Sequence, residues 1–547
     1  MRIKRVMASF LCAAMVIGSL SACGGGAGGG TAPAPAASGG EASSSAETAS
    51  SGGESGGTEA DSGTKYKEEI IIAMADEFTT IDPTETTSET NQIVQELVIN
   101  MLTNTNLHTI TNEGEILESW EMIEPDHWKF YIKPGIKFHD GTTLDVYDVE
   151  WTLMERCPDK ATASNYVAKI AEFIVVDDLT FECKLVSGDV DFNYTFAANA
   201  LSIQSKEAFE TMPEEEAVKI GTGPFMFEEF VAGDYVSLVR FEDSTLYPVP
   251  NTKRLVFRMI PEASARMIAL ENGEVDVIMS PDATDYSRLS ENDAFQLLTI
   301  TGRGQHFVGF NLLNPDSIVT DPKFREAVAK GIDKEEMIIA AWDGYAQAST
   351  SIHCRDVDYY ADIEGIPYDP EGAQALFDEL GCNGMTIRLV TSDADHRVKM
   401  AENFQAQMAK YGITINVEYM QNSALTELNT SDGTTSGVEL YIASWTPGKN
   451  ADYMYRNPIH SQGGRNYSHL IDPEIDALID EAAGEVDTTR RAALYEELQQ
   501  KLTCEIIHWV PIAQATLTMG AAEGVEGILL HPALNHSFKG VQRVISE

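Results

Sequence analysis

Side chains able to do covalent chemistry are present in this 547-residue chain, but not in the arrangements such chemistry needs. The one G-x-S-x-G match, Gly53 to Gly57, falls in a Gly/Ser-rich run without the flanking strand and helix patterns a hydrolase nucleophile elbow needs, and a zinc helix (H-E-x-x-H) and a phosphate-cradling P-loop are missing. The eleven histidines are scattered. His531 and His536 come nearest to a ligand pair, yet Pro532 breaks a shared helical face, so neither a metal centre nor a cofactor is expected. Among 85 acidic residues, carboxylate pairs arise by chance, and nominating a glycosidase dyad would be arbitrary. What remains is non-covalent recognition. Trp445 ends a β-rich run over 438–444, where an indole offers a broad flat face to a peptide side chain or a sugar ring.

The elements around Trp445 are readable. A β-rich run at 386–390, a helical stretch from about Ala394 to Lys410, a stop at Gly412 and a second β-rich run at 413–419 form a βαβ crossover, which implies parallel strands. In open α/β sheets ligands sit beyond the carboxyl ends of the strands, which is where Trp445 falls. Asp472-Pro473 starts a helix with Ile475, Leu478, Ile479 and Ala482 on one face; Asp321-Pro322 starts another with Phe324 and Val328 inward. Asp333 with Glu336 has the form of a capping box. Residues 128–138 are expected to form a hairpin around Pro134-Gly135, running through Asp140-Gly141 into a helix at Asp145 with Val146, Val149 and Leu153 inward. The Glu-rich segment 206–219 is a solvated helix or loop.

With 38 basic and 85 acidic residues the formal charge is -47, which argues against nucleic acid or an anionic membrane face as partner. Arg2, Lys4 and Arg5 precede an apolar stretch over 6–20 that is too short to span a bilayer and ends in Leu20-Ser21-Ala22-Cys23. This resembles a bacterial lipobox, implying removal of residues 1–22 and lipid on Cys23, with about -50 left on the mature chain. Residues 23–65 are rich in Gly, Ser and Ala and are expected to form a disordered tether reaching roughly 35 Å. Beyond Cys12 and Cys23, Cys157, Cys183, Cys354, Cys382 and Cys504 are an odd set; bridges 157–183 or 354–382 and free thiols are both open.

Six motifs in chain order carry a resemblance. The longest is Trp128-Lys-Phe-Tyr-Ile-Lys-Pro-Gly-Ile-Lys-Phe-His-Asp-Gly-Thr-Thr-Leu-Asp-Val-Tyr-Asp-Val149; the others are Thr80-Ile81-Asp82-Pro83, Gly221-Thr222-Gly223-Pro224-Phe225, Phe307-Val308-Gly309-Phe310-Asn311, Phe324-Arg325-Glu326-Ala327 with Ile332-Asp333, and Asn466-Tyr467-Ser468 before Asp472-Pro473. From about Glu69 to Val544 the chain resembles the extracellular solute-binding proteins of ABC importers, peptide/dipeptide/nickel class (family 5, oligopeptide-binding-protein-like). The resemblance implies an α/β, two-lobed, periplasmic-binding-protein-like fold (type II, the large three-subdomain form) with a hinge and an interlobe cleft. Lobe I would comprise 66–305 plus 515–547, with an inserted subdomain at about 108–220, and lobe II 306–514. It implies a monomer without catalysis that closes over a small solute, foremost an oligopeptide, and delivers it to membrane permease subunits. An oligosaccharide or another small polar solute is the alternative, and a hydrolase, sensor or adhesin on a similar scaffold is the competing class. In peptide-binding members an Asp shortly after the tryptophan pairs with the peptide amino group; here that place holds Gly448 or Lys449, a departure that favours an anionic group, and Asp452 matches a following element. Thr86, Thr87 and Asn91 are candidate polar contacts from the other lobe. Arg303, His353, Arg355 and Arg397 lie near segments that border the cleft in the family and are first read as surface or ion-pair residues.

Overall fold

A computed structural model describes residues 65–106, 111–314, 316–448, 450–533 and 536–545. The signal and lipid site, including Cys23, almost all of the tether and Lys449 lie outside the described residues.

The architecture is one 11-stranded mixed sheet divided into two halves by two long strands, Phe295–Phe310 and Trp509–Ala522. At about 3.3 Å per residue, the sixteen-residue strand extends roughly 50 Å, enough to cross both halves. On one side lie Thr414–Met420, Thr386–Ser392 and Leu440–Trp445; on the other Val277–Met279, Glu69–Met74, Arg254–Met259, Tyr235–Arg240 and Phe225–Val231. Between the halves the ladder jumps from Thr301 opposite Thr516 to Gln305 opposite Gln514, so three residues, Gly302 and Gly304 among them, oppose one. A Cβ on Gly302 would sit 2.8 Å from the Ala515 carbonyl oxygen, so only glycine fits.

Each half buries its own apolar set. One core joins Ile70, Phe257, Val277 and Met519; the other joins Val308, Leu389, Phe404, Ile442 and Ile512. A separate four-stranded antiparallel sheet, in the order Leu117–Glu124, His127–Ile132, Thr180–Leu185, Ile170–Asp177, packs around Phe130, Phe181, Phe192 and Phe196. A fourth cluster, with Tyr441, Met454, Tyr455 and the Phe307–Trp509 ring pair (centroids 3.8 Å apart), underlies Trp445. Truncating a ring there would cost about 3–5 kcal/mol.

The crossover forms as its pattern requires: Thr386 pairs with Thr414 through to Ser392 with Met420, in parallel, joined by the helix Asp395–Lys410. Asp472 and Asp321 accept first-turn amides of Pro473–Gly484 and Pro322–Gly331. Two readings need correction. Asp333 does accept the Glu336 amide, but the Glu336 carboxylate turns away to Lys410 at 3.1 Å, so the box is half made. Residues 128–138 form no hairpin: His127–Ile132 pairs with Leu117–Glu124 and Thr180–Leu185, while Lys137 bridges only Thr143. The helix beyond begins at Val146 with a complete capping box between Asp145 and Asp148. All five body cysteines are free thiols, four of them buried, so neither candidate bridge forms.

The most recognisable motif is structural glue. The His139 ring accepts the Gly221 amide at 3.2 Å and bonds the Gly223 carbonyl at 3.0 Å. A Cβ on Gly221 would fall 1.9 Å from the Val98 carbonyl oxygen, so the strand-to-insert passage is built from bare backbone.

Candidate functional site

Register alone locates a site. Leu440–Trp445 runs antiparallel to the first long strand and ends with Trp445 opposite Gln305, pointing toward the break at Gly302 and Gly304. Val277–Met279 runs antiparallel to the second long strand from Ala521 to Met519, pointing toward the same break from the other side. The carboxyl ends of the parallel strands in both halves therefore face one another across the break, the position at which α/β sheets meet their ligands.

Trp445 is half-buried and stacks on Tyr453, with centroids 5.4 Å apart and planes inclined by 24°. Its indole N–H is sealed from solvent without an acceptor. Tyr453 is 44% exposed. From the inserted segment, Tyr166 comes close enough that its hydroxyl is pushed up first by burial and then by the Tyr453 hydroxyl.

The other expected contacts are differently employed. Asp452 gives both carboxylate oxygens to Arg456 Nε, at 3.0 and 2.9 Å. Asn91 is 1% exposed, its amide oxygen accepting the Thr79 and Thr80 amides at 2.8 and 3.0 Å, so it braces the strand-end turn from beneath. Thr86 is half-buried and accepts the Ser88 amide at 3.0 Å; Thr87 is exposed, its carbonyl holding Gln92. Arg303 is buried and paired with Asp356 at 2.6 Å, His353 bonds the Tyr455 hydroxyl at 2.7 Å, and Arg355 lies exposed with its guanidinium 5.6 Å from the Tyr360 ring centroid.

Arg397 departs from its sequence reading. It sits in the first turn of Asp395–Lys410, where the strand Thr386–Ser392 ends, and donates to Ser392 Oγ (3.0 Å), Asn422 Oδ1 (3.0 Å) and Ser444 Oγ (2.8 Å). Two adjoining strand ends and the start of the helix Asn422–Asn429 thus converge on one guanidinium. Its Nε–H is buried without an acceptor, and among the described residues no carboxylate pairs with it. Arg156, Arg303 and Arg491 also have an unpartnered guanidinium nitrogen, but each is neutralised by an Asp. Beside Arg397, His396 packs against His306 (5.1 Å) and Trp342 (6.0 Å). Burial drives His396 down to about 4 and His306 well below its ordinary value, so at neutral pH both rings are uncharged and Arg397 is the cation of this group. Its place in a strand-to-helix turn was visible in sequence; the absence of an acid partner was not.

This fold and this pair of facing strand ends define a solute-binding protein, and comparison with known proteins agrees. The family model for bacterial extracellular solute-binding proteins, family 5 (middle), matches residues 112–467, and the chain belongs to that family. Heme-binding protein A of Haemophilus influenzae is 26% identical over 475 residues, covering 78% of this chain and 84% of the relative. The dipeptide-binding protein of Escherichia coli is 25% identical over 470 residues, covering 78% and 85%. The solved structure of HbpA2 from Haemophilus parasuis superposes with a TM-score of 0.77 at 24% identity, covering 87% of this chain and all of that one. The chain is accordingly an extracytoplasmic substrate-binding protein of the ABC-importer type, a binder and not an enzyme.

Proposed function

We propose that this protein captures a short peptide between two lobes, 66–305 plus 515–547 and 306–514, with residues 108–220 inserted in the first. The lobes part and close about the break at Gly302 and Gly304, and the closed form is delivered to a membrane permease. A monomer held at the membrane by lipid on Cys23 would do this within reach of its tether. The observation that carries the reading is Arg397: a guanidinium with no acid partner among the described residues, held at the ends of the strands Thr386–Ser392 and Leu440–Trp445 and by the first residue of the helix Asn422–Asn429. It suits the carboxylate of a peptide, while the Trp445–Tyr453 stack suits an apolar side chain. Thr86 and Thr87 would add polar contacts from the first lobe and Lys449 a second cation; Asp452 and Asn91 would act by holding neighbouring elements in place.

A solute touching both lobes favours closure only by its differential affinity for the closed form. The relatives' names span heme and dipeptides, so family membership leaves the solute open. The flat Trp445–Tyr453 surface also favours a second reading, an oligosaccharide stacked on it. Thermal-shift measurements against peptide and oligosaccharide panels separate the two. A ligand at a hundredfold excess over its Kd stabilises by about 2.7 kcal/mol, enough to raise Tm measurably. Stabilisation by peptides is the expected result; stabilisation by sugars alone would overturn it.

A further inference from the structure

One buried ion pair joins parts of the chain that no shared core holds together. Asp191 follows the four-stranded sheet of the insert, and Arg491 lies on the helix Thr488–Gln500 of the second half, 300 residues away. The guanidinium engages both carboxylate oxygens, Nη1 to Oδ1 at 2.8 Å and Nη2 to Oδ2. The side chains are only 5% and 15% exposed for Arg491 and Asp191, and the rings of Tyr359 and Tyr495 flank the guanidinium at 5.2 and 5.8 Å. At Asp191 burial outweighs the pair and raises the carboxyl above its usual range; at Arg491 the pair outweighs burial and holds the guanidinium above its own. A second tie runs alongside, from the Tyr194 hydroxyl to Asp358 Oδ2 at 2.8 Å.

The pair also reaches the aromatic platform. Asn450 Nδ2 donates to Asp191 Oδ2 at 3.0 Å, while its own Oδ1 caps the helix Ala451–Arg456 through the Tyr453 amide. Tyr453 is the residue stacked on Trp445. Asp191 thus binds two groups of the opposite half, one buried beneath it and one that sets the platform.

We infer that Asp191 is a positioning residue for solute capture: clamped by Arg491, it draws the Asn450-capped helix and its Tyr453–Trp445 stack into place and holds the two halves closed without a solute between them. The inference rests on the reading that solute lies between the facing strand ends. The insert and the second half each have their own core, so neither needs the pair in order to fold. When the halves part, water solvates both ions; when they close, each ion requires the other.

The test needs no solute. Small-angle scattering of the full chain without added ligand should give a compact wild type, whereas Asp191→Asn, which leaves Arg491 buried and unpaired on closing, should shift the closure equilibrium toward the open form by a hundredfold or more and raise the radius of gyration. The double variant Asp191→Asn/Arg491→Gln should be no more open than the single one, because the two residues act as a unit. Melting temperature should change little, a separation that a purely structural ion pair would not produce. Should Asp191→Asn fail to fold, Arg491→Gln breaks the same pair from the other side and should likewise expand the solute-free protein. An unchanged radius of gyration in whichever of these variants folds refutes the clamp and leaves the importer assignment, tested by ligand panels, untouched.

Discussion

Replacing Arg397 by Gln removes the cation at the facing strand ends and keeps most of the side chain's bulk. Arginine has five N–H donors, and three of these are taken by Ser392, Asn422 and Ser444, leaving the Nε–H and one hydrogen on Nη2. The Nε–H and the Nη2 hydrogen on its side form the edge of a guanidinium that matches the two oxygens of a carboxylate. A hydrogen bond to a charged group contributes about 1.5–3 kcal/mol, so the pair of bonds is worth at least about 3 kcal/mol, or roughly a hundredfold in Kd. Calorimetric titration with a stabilising peptide, as its free acid and as its C-terminal amide, reads the term directly. Wild type should prefer the acid by about that factor, and Arg397→Gln should bind the two alike. An acid preference that survives in the variant, or none in wild type, refutes Arg397 as the carboxylate seat. Protonation of His396 is too low, at about 4, to blur the comparison at neutral pH.

Three further outcomes follow from the same account. Trp445→Ala should weaken solute binding by about tenfold with little change in melting temperature, since the ring is half-buried and its stacking is worth about 0.5–1.5 kcal/mol beyond area; unaltered affinity would return Trp445 to the scaffold. Cys23→Ser should move the protein from the membrane fraction to the soluble fraction, and continued membrane association would refute the lipid anchor. Burial raises the Glu96 carboxyl to about 7, with Lys539 opposing, so the fold favours its protonated form. That preference stabilises fully below the unfolded value near 4.5 and is lost as pH rises through 7, so Glu96→Gln should gain on wild type by less than about 1 kcal/mol at pH 5 and by on the order of 3 kcal/mol at pH 8. Chemical denaturation at both pH values checks the sign, and an equal effect at both would refute it.

Local signals were readable in the sequence because they act over a few residues. The prolines at 322 and 473 with their aspartate caps, the parallel crossover from Thr386 to Met420 and the strand-end position of Trp445 all emerge from spacing and side-chain type. Non-local pairing was less accessible. The aromatic run at His127–Ile132 resembled half of a local hairpin, but one of its partners, Thr180–Leu185, lies about fifty residues on. Glu336 left its capping box for a lysine 74 residues away. At the site the limit is sharper: Arg397 follows Asp393 and Asp395, so its lack of an acid partner among the described residues is a property of three-dimensional direction that no one-dimensional pattern carries. The Asp191–Arg491 clamp lies further still beyond pattern, since 300 residues separate its ends.

The central claim, that a small solute is held between the facing strand ends, is tested most directly by native mass spectrometry of the freshly purified protein, followed by denaturation and identification of any released molecule. The account predicts a low-mass adduct bearing a carboxylate, retained by wild type and lost or weakened in Trp445→Ala and Arg397→Gln. A protein that carries no adduct and whose melting temperature does not move with peptide or sugar panels would contradict it.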